Sequence, residues 1–316
     1  MAEAKRCLIT GGAGFIGSHI ADVLIADGCQ VCVLDNLSTG KKENLPSHIP
    51  IYEMDLLDDL TPLFQKEKPQ IVFHHAAQIS VSCSVREPEI DGKTNILGSI
   101  HLLEACRQFG VERVIYASSG AVYGEPELLP VREEDATFGL SPYGISKLIP
   151  ERYLYYYRHQ FGIEFAALRY ANVYGPRQDP HGEAGAVSIF SEKLLAGQQT
   201  IIFGDGEQTR DFVFVKDVAR ANLLAMKANI DRSVFPAFNV SMQKQTTVNV
   251  LFDTIQKYTG TKQPKNHGPK REGDVLHACL SNEKINKYIG WEPEVELDEG
   301  IRETVQFFQA KRGCAK

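Results

Sequence analysis

The chain has no run of about 18 apolar residues, which leaves no stretch able to cross a bilayer as a helix. It has no surplus of basic charge: 34 Lys and Arg stand against 40 Asp and Glu, a net charge of −6, and no basic stripe is visible. That balance argues against general nucleic-acid binding, so neither a membrane nor a nucleic-acid partner is expected. The opening Met-Ala-Glu-Ala-Lys-Arg has no signal-peptide shape and leads into a strand pattern, so a cytoplasmic location is expected. Repeats and low-complexity segments are absent. The seven cysteines include one CxxC, Cys29 and Cys32, with no second pair to complete a metal site. Cys32 lies within a strand and Cys29 at its start, so the two should point to opposite faces. The nine histidines show no ligand spacing, and the adjacent His74 and His75 should alternate across a strand end. No metal site is expected. What remains is an ordinary globular composition of 316 residues, long enough for a large core and one to three domains.

The chain is organised around Lys5 to Asp35. Arg6-Cys-Leu-Ile-Thr10 reads as a buried strand, and Gly11-Gly-Ala-Gly-Phe-Ile-Gly17 follows at once. Ser18 to Asp27 carries Ile20, Val23, Leu24 and Ile25 at helical spacing, and Gln30-Val-Cys-Val-Leu34 is a second buried strand ending on Asp35. This is one βαβ unit. Its glycines let the backbone turn tightly and approach a pyrophosphate, and the helix N-terminus offers N–H groups to that anion. Asp35 lies 21 residues beyond Gly14, where a carboxylate can accept from both ribose hydroxyls and repels a 2′-phosphate. NAD is therefore favoured over NADP. The spacing fits two registers, Gly12/Gly14/Gly17 and Gly11/Gly14/Gly17; the chain downstream decides for the second.

Ile51-Tyr-Glu-Met54 reads as a third strand, followed by Asp55 and Leu56. Asp55 could reach an adenine amino group, or cap a helix from Leu57 to Lys66, or do both. Gln70-Ile-Val-Phe-His74 is a fourth strand running into Ala76 and Ala77, two residues small enough for a dinucleotide to lie against backbone. A helix is expected from Asn95 to Phe109, with Ile96, Ile100, Leu102 and Leu103 on one side and Gly110 as its stop. Arg113-Val-Ile-Tyr-Ala117 is a fifth strand, leading to Ser118 and Ser119. Strands alternating with helices imply a doubly wound parallel sheet, whose ligands bind beyond the carboxyl ends of the strands. Gly11, Asp35, Asp55, Ala76 and Ser119 all lie at such ends.

Ser141 and Pro142 open the next helix as cap and first-turn residue. Tyr143 and Lys147 are four apart and share a face. A tyrosine has a pKa of about 10, so acting as a base near neutrality requires a loss of roughly 3 units, about 4 kcal/mol. A lysine ammonium and an oxidised nicotinamide ring are two positive charges able to supply it. Ser119 can hydrogen-bond the same substrate hydroxyl. Pro150 sits inside this helix at a cost of about 3 kcal/mol, and a kink is expected just after Lys147.

Phe165 to Arg169 reads as a sixth strand and Tyr170 to Arg177 as a turn. Helices are then expected at Val187–Ala196, Asp217–Lys227, Thr247–Tyr258, Asn282–Ile289 and Leu297–Gln309, and short strands at Thr200–Phe203, Arg210–Val215 and Ala237–Val240. The fold class is α/β: a Rossmann-type doubly wound parallel sheet over residues 1–176 and a smaller α/β substrate domain over 177–316, with some later segments returning to the first. Arg210 and Arg271 each have an acid close by, Asp211 and Asp274. They are either surface ion pairs or the bidentate clamps of a diphosphate.

Taken together, Thr10 to Gly17, His74 to Ala77, Asn95 to Gly98, Ser118 to Gly124, Ser141 to Lys147, Arg169 to Arg177, Gln208 to Asp217 and Arg271 to Asp274 span almost the whole chain. Their order resembles the extended short-chain dehydrogenase/reductases, and among them the sugar-nucleotide epimerases typified by UDP-glucose 4-epimerase. The resemblance implies Tyr143 as base, Lys147 as its activator and ribose ligand, and Ser119 as hydroxyl partner. It implies NAD held by Gly11, Gly14, Phe15, Ile16, Gly17, Asp35, Asn36, Asp55, Leu56, Ala76, Ala77, Asn95, Tyr143 and Lys147. Asn172, Arg210, Arg271 and Asp274 would meet the UDP part of the substrate, with the backbone at Ile201 to Phe203 at the uracil. A homodimer through the Asn95 and Tyr143 helices would follow. 4,6-Dehydratases need an acid and a base beside the active-site Ser or Thr, and UDP-glucuronate decarboxylases typically a Glu; this chain has Gly120 and Ala121, which favours return of a 4-keto sugar as its epimer. A non-catalytic NAD-binding sensor or scaffold is the reading of a different class, though such relatives tend to lose the Tyr or the Lys. Ala278, seven residues past Arg271, is small where related epimerases vary the bulk closing the sugar pocket, so UDP-GlcNAc should be accepted beside UDP-glucose. Ile79 stands where some hexose epimerases have a Lys.

Overall fold

The structure, a computed structural model, describes residues 4–181, 185–270 and 275–314. It opens with β1 (Arg6–Thr10), α1 (Phe15–Ala26) and β2 (Gln30–Leu34), the βαβ unit in the expected register. β3 is only Ile51–Tyr52. α2 (Thr61–Glu67) starts later than Leu57, and Asp55 does not cap it. Asp55 instead closes a local turn by accepting from the Leu57 N–H, while Asp59 accepts from Thr61.

After β4 (Ile71–His74) come two short helices that the sequence pattern does not announce, α3 (Val81–Arg86) and α4 (Pro88–Gly92). α4 passes through a π-helical turn, Lys93–Leu97, into α5 (Gly98–Gln108). The helix expected from Asn95 therefore begins at Pro88. The π turn rotates its buried face onto Asn95, Gly98, Ser99, Leu102, Leu103 and Cys106, leaving Ile96 and Ile100 only half-buried. Gly110 follows at φ +72°, the left-handed conformation of a helix stop.

β5 (Arg113–Ser119) precedes α6 (Pro142–Phe161), whose Ser141 hydroxyl accepts from the Gly144 N–H at 3.1 Å as a cap. The helix runs on through Pro150 to Phe161. Next come β6 (Glu164–Tyr170), β7 (Asn172–Tyr174), α7 (Ala186–Leu195), β8 (Ile201–Phe203), β9 (Thr209–Arg210) and β10 (Phe212–Phe214). The stretch expected as a turn after Arg169 thus contains a strand, because Asn172–Tyr174 finds a parallel partner in Phe212–Phe214. The single strand expected at Arg210–Val215 is split at Asp211, whose carboxylate turns inward to accept backbone N–H groups from Met242, Gln243 and Leu280. α8 (Val215–Lys227), β11 (Ala237–Val240), β12 (Thr246–Thr247), α9 (Val248–Thr259), β13 (Asn266–Gly268), α10 (Glu283–Ile289) and α11 (Leu297–Cys314) complete the chain.

The central sheet has seven parallel strands in the order β11-β6-β5-β4-β1-β2-β3. The chain builds outward from β1 in one direction, then crosses back to β4, so the strand order reverses between β1 and β4. A ligand crevice opens at the carboxyl ends on either side of such a reversal. Alternate residues of each strand enter different cores. Cys7, Ile9, Val33 and Phe73 pack under α1 and α8, whereas Leu8, Leu34, Val72 and Val114 pack under α5 and α6 with Leu102, Leu103 and Leu154. Each such side chain contributes about 1.5–3 kcal/mol on burial. Cys29 lies against the first core and Cys32 in the second, the opposite faces expected for the CxxC. A third core joins α7, α9 and α11 through Phe190, Phe252, Leu251 and Val305.

Candidate active site

The turn after β1 is shaped by what it cannot hold. Gly11 sits at φ +68°, and a Cβ there would lie 2.7 Å from the Ala76 nitrogen. A Cβ on Gly17 would lie 2.3 Å from the Gly11 carbonyl oxygen. Neither neighbour is a flexible side chain, so the turn, the β4 exit and the first turn of α1 close on one another through backbone alone. Gly14, the N-cap of α1, offers no side-chain cap, so the first N–H groups, those of Phe15, Ile16 and Gly17, are available to an anion.

Asp35, at the end of β2, is buried. Its Oδ2 accepts from the Ala13 N–H and its Oδ1 from the Leu37 N–H, each at 2.9 Å. One bond per oxygen fixes the carboxylate and leaves each oxygen a lone pair for a ribose hydroxyl. Asn36 and Asp55, both exposed, are joined by an Asn36 Nδ2 donor 3.0 Å from Asp55 Oδ2, above the buried Leu56. Ala76 and Ala77 line the β4 exit half-buried, with the Ala76 N–H on the Thr10 hydroxyl at 3.2 Å. A bare glycine turn, an uncapped helix start and a pre-fixed acid at the next strand end are the features a dinucleotide needs, and these residues fit NAD.

On the other side of the crevice α6 presents Tyr143 and Lys147. Lys147 is 4% exposed, and its Nζ stands 4.7 Å from the centre of the Tyr116 ring. Burial pulls its pKa down to about 8, against the raising influence of Asp91 and then Glu151. Burial likewise pushes the Tyr143 phenol up, while its hydrogen-bonding contact with Ser119 pulls it the other way. In the polypeptide alone the net push on this phenol is upward. Ser119 ends β5, and its hydroxyl also accepts from the Ala121 N–H at 3.1 Å. Ser119, Tyr143 and Lys147 are thus brought together at the carboxyl edge of β5.

The surroundings contain groups that the motifs did not single out. Glu151, one turn beyond Lys147, is fully buried and takes Arg169 bidentately at 3.0 and 2.7 Å, with the Ser118 hydroxyl donating at 2.6 Å. Its spacing from Lys147 was the available signal. Asn95, 2% exposed, accepts from the Gln78 N–H and donates to the Gln78 carbonyl, to Asp91 and to the Ser146 hydroxyl, tying the π turn to α6. His74 sits between Thr10 and Ser99, and His75 against Tyr170, so the pair faces two ways. Among the described residues no three His, Cys, Asp or Glu side chains gather as metal ligands.

The remaining predicted residues lie on the later segments. Arg210 is half-buried, with its Nη1 donating to the Thr209 carbonyl at 2.9 Å, and the Ala278 N–H reaches that same carbonyl at 3.2 Å. Asn172 is exposed, and its N–H donates to the Asp211 carbonyl at 2.9 Å. Ile201 is 51% exposed and Phe203 half-buried on β8, whose end is held by Gln208 donating to the Phe203 carbonyl at 2.7 Å. Arg210, Asn172 and Ala278 are accordingly neighbours around Asp211. Arg271 and Asp274 lie outside the described residues. The Asp211 carboxylate is engaged by three backbone amides, those of Met242, Gln243 and Leu280.

Residues 7–241 match the profile of the NAD dependent epimerase/dehydratase family. A relative from Methanocaldococcus jannaschii named putative UDP-glucose 4-epimerase is 46% identical over 96% of this chain and 98% of its own length. The crystal structure of a Thermotoga maritima UDP-glucose 4-epimerase with UDP-glucose superposes with a TM-score of 0.93 at 47% identity, over 97% of this chain and 99% of that one. The solved structure of a UDP-N-acetylglucosamine 4-epimerase from Methanobrevibacter ruminantium, in complex with UDP-N-acetylmuramic acid, gives a TM-score of 0.92 at 37% identity, over 98% of this chain and 99% of that one. With a family profile covering most of its length and relatives this similar end to end, the chain belongs to the NAD dependent epimerase/dehydratase family.

Proposed function

We propose that this enzyme inverts C4 of a UDP-sugar, interconverting UDP-glucose and UDP-galactose. The observation that carries the reading is the Ser119–Tyr143 contact at the end of β5, with the buried Lys147 one helical turn further along α6. NAD, held by the glycine turn and Asp35, would supply a reversible hydride acceptor for C4 of the sugar. The residues do the rest. The Tyr143 phenolate takes the proton of the 4-hydroxyl, and Ser119 holds that hydroxyl by a hydrogen bond. The Lys147 ammonium stabilises the phenolate and meets the ribose. Asp35 takes the other ribose, and the α1 N-terminus takes the pyrophosphate. Arg210, Asn172 and Arg271 hold the UDP end, with the Ile201–Phe203 backbone at the uracil. Held there, the 4-keto sugar turns about its diphosphate linkage and presents its other face.

Gly120 and Ala121 support return over onward reaction, since neither can eliminate water or assist loss of carboxylate. This weighs against the dehydratase and decarboxylase alternatives. The small Ala278 supports acceptance of UDP-GlcNAc as well. Residues 1–176 form the cofactor domain in this reading and 177–316 mainly the substrate domain. A homodimer through α5 and α6 is supported by exposed apolar residues on and beside them: Leu97 in the π turn that leads into α5, and Ile145, Tyr156 and Phe161 on α6. A cytoplasmic location is supported by six described cysteines that are all free. No described helix is long and apolar enough to cross a membrane.

Purified protein given UDP-galactose should yield UDP-glucose, resolved by chromatography, and UDP-GlcNAc should yield UDP-GalNAc. No turnover of any UDP-hexose refutes the reading. Turnover of UDP-glucose with none of UDP-GlcNAc refutes the pocket assignment at Ala278.

A further inference from the structure

Lys147 is buried beside two carboxylates, and only one of them is free to face it. Glu151 is held bidentately by the Arg169 guanidinium and also takes the Ser118 hydroxyl. Its charge is balanced at its source. Asp91, on α4, is 1% exposed. Its Oδ1 accepts from Gln78 Nε2 at 2.8 Å and from Asn95 Nδ2 at 3.1 Å, both neutral amides. Its Oδ2 is buried with no hydrogen-bond partner among the described residues.

A buried carboxylate with one bare oxygen is costly and needs a compensating charge nearby. The Lys147 ammonium can supply it: of the two carboxylates near it, Asp91 is the one that most favours its charged form. We infer that Asp91 is a positioning residue for the catalytic pair: it anchors Gln78 and Asn95 at the π turn and sets the unbalanced negative charge that faces the Lys147 ammonium. The inference rests on the epimerase reading and deepens it.

The other groups around Lys147 do not replace that charge. From β4, His74 and His75 are both held neutral by burial, and each is further disfavoured as a cation by Lys147 itself. From β5, the Tyr116 ring meets the ammonium, and burial keeps its phenol protonated. From α6 come Tyr143 and the paired Glu151. The π turn matters because it places Asn95 where one side chain reaches Asp91, the Gln78 backbone and Ser146 of α6 together. Asp91, Gln78 and Asn95 thus form a rigid acid-bearing shelf packed against the helix of Tyr143 and Lys147.

The test is the pH dependence of Asp91→Asn, which keeps the shape and the Oδ1 acceptor and removes the charge. Lys147 should then lose its proton at lower pH. The alkaline limb of kcat should move down by about one pH unit, so that the variant is close to wild type near pH 6.5 and about tenfold slower near pH 8.5. NAD affinity of the cofactor-free protein, measured by calorimetry, should fall over the same interval. Loss that is uniform across pH, or a profile superimposing on wild type, overturns the inference. Gln78→Leu, which removes one of the two hydrogen bonds to Asp91 and keeps its charge, should leave the alkaline limb in place; a shift there equal to that of D91N overturns it too. If D91N is not recovered folded, Asp91→Ser gives the same comparison, and failure of both neutral variants together with Asp91→Glu marks a purely structural residue. A wild-type protein with no activity on UDP-sugars would instead refute the epimerase reading, and the calorimetric arm would still report on Asp91.

Discussion

The two sides of the crevice are built by different means. The cofactor side is made of backbone: a glycine turn that a single Cβ would obstruct, an uncapped helix start, and Asp35 fixed by two main-chain amides. The substrate side is made of side chains on short pieces of strand. β9 has two residues and β8 three, and their arrangement depends on Asp211 gathering Met242, Gln243 and Leu280. Binding a constant cofactor suits a rigid backbone cradle. Binding a variable sugar suits segments whose side chains can change without disturbing the sheet. In the proposed reading Tyr143, Lys147 and Ser119 serve both sides.

This contrast can be broken at each of its parts. The largest effect belongs to the shared centre. Tyr143→Phe removes the proton acceptor and should lower kcat by about 10³-fold with KM for the UDP-sugar and NAD retention little changed; steady-state kinetics with bound-cofactor quantitation checks it. On the cofactor side, Gly11→Ala forces a side chain into a left-handed backbone and onto Ala76, a strain of about 1–3 kcal/mol. It should weaken NAD binding by about 10- to 100-fold in calorimetry and lower the melting temperature as well. On the substrate side, Arg210→Ala should raise KM for the UDP-sugar by about 10-fold, the loss of a charge-assisted bond, with kcat and NAD affinity within about twofold. The smallest effect is expected from Asp211. Burial raises its pKa to about 6, above its unfolded value, so the cost of its buried charge is present above pH 6 and disappears as pH falls. Protonation also weakens its grip on three amides, so KM for the UDP-sugar should rise about two- to threefold as pH falls through 6, as kinetics across that range would show.

The parts legible in the sequence are those whose geometry is local. Gly11 to Asp35 places strand, turn, helix and acid within one unit, and the Tyr143 to Lys147 spacing needs only a helix. The central sheet follows from strands long enough to show continuous apolar runs. What escaped depends on distant partners. Asn172–Tyr174 is a strand only because Phe212–Phe214 lies beside it, and three residues carry no readable period. The role of Asp211 shows only when residues 242, 243 and 280 are brought to it. The helix before Asn95 hides because the π turn shifts its face partway along, so neither half fits one helical stripe. Asp91 and Glu151 belong to none of the motifs, and only the fold buries them.

The central claim is that the C4 hydride leaves the sugar and returns to the same carbon. UDP-galactose carrying deuterium at C4, turned over by the wild-type enzyme, tests it by mass spectrometry and NMR of the product. The account predicts UDP-glucose with the deuterium retained at C4. Deuterium lost to water, or found at C6, would contradict it.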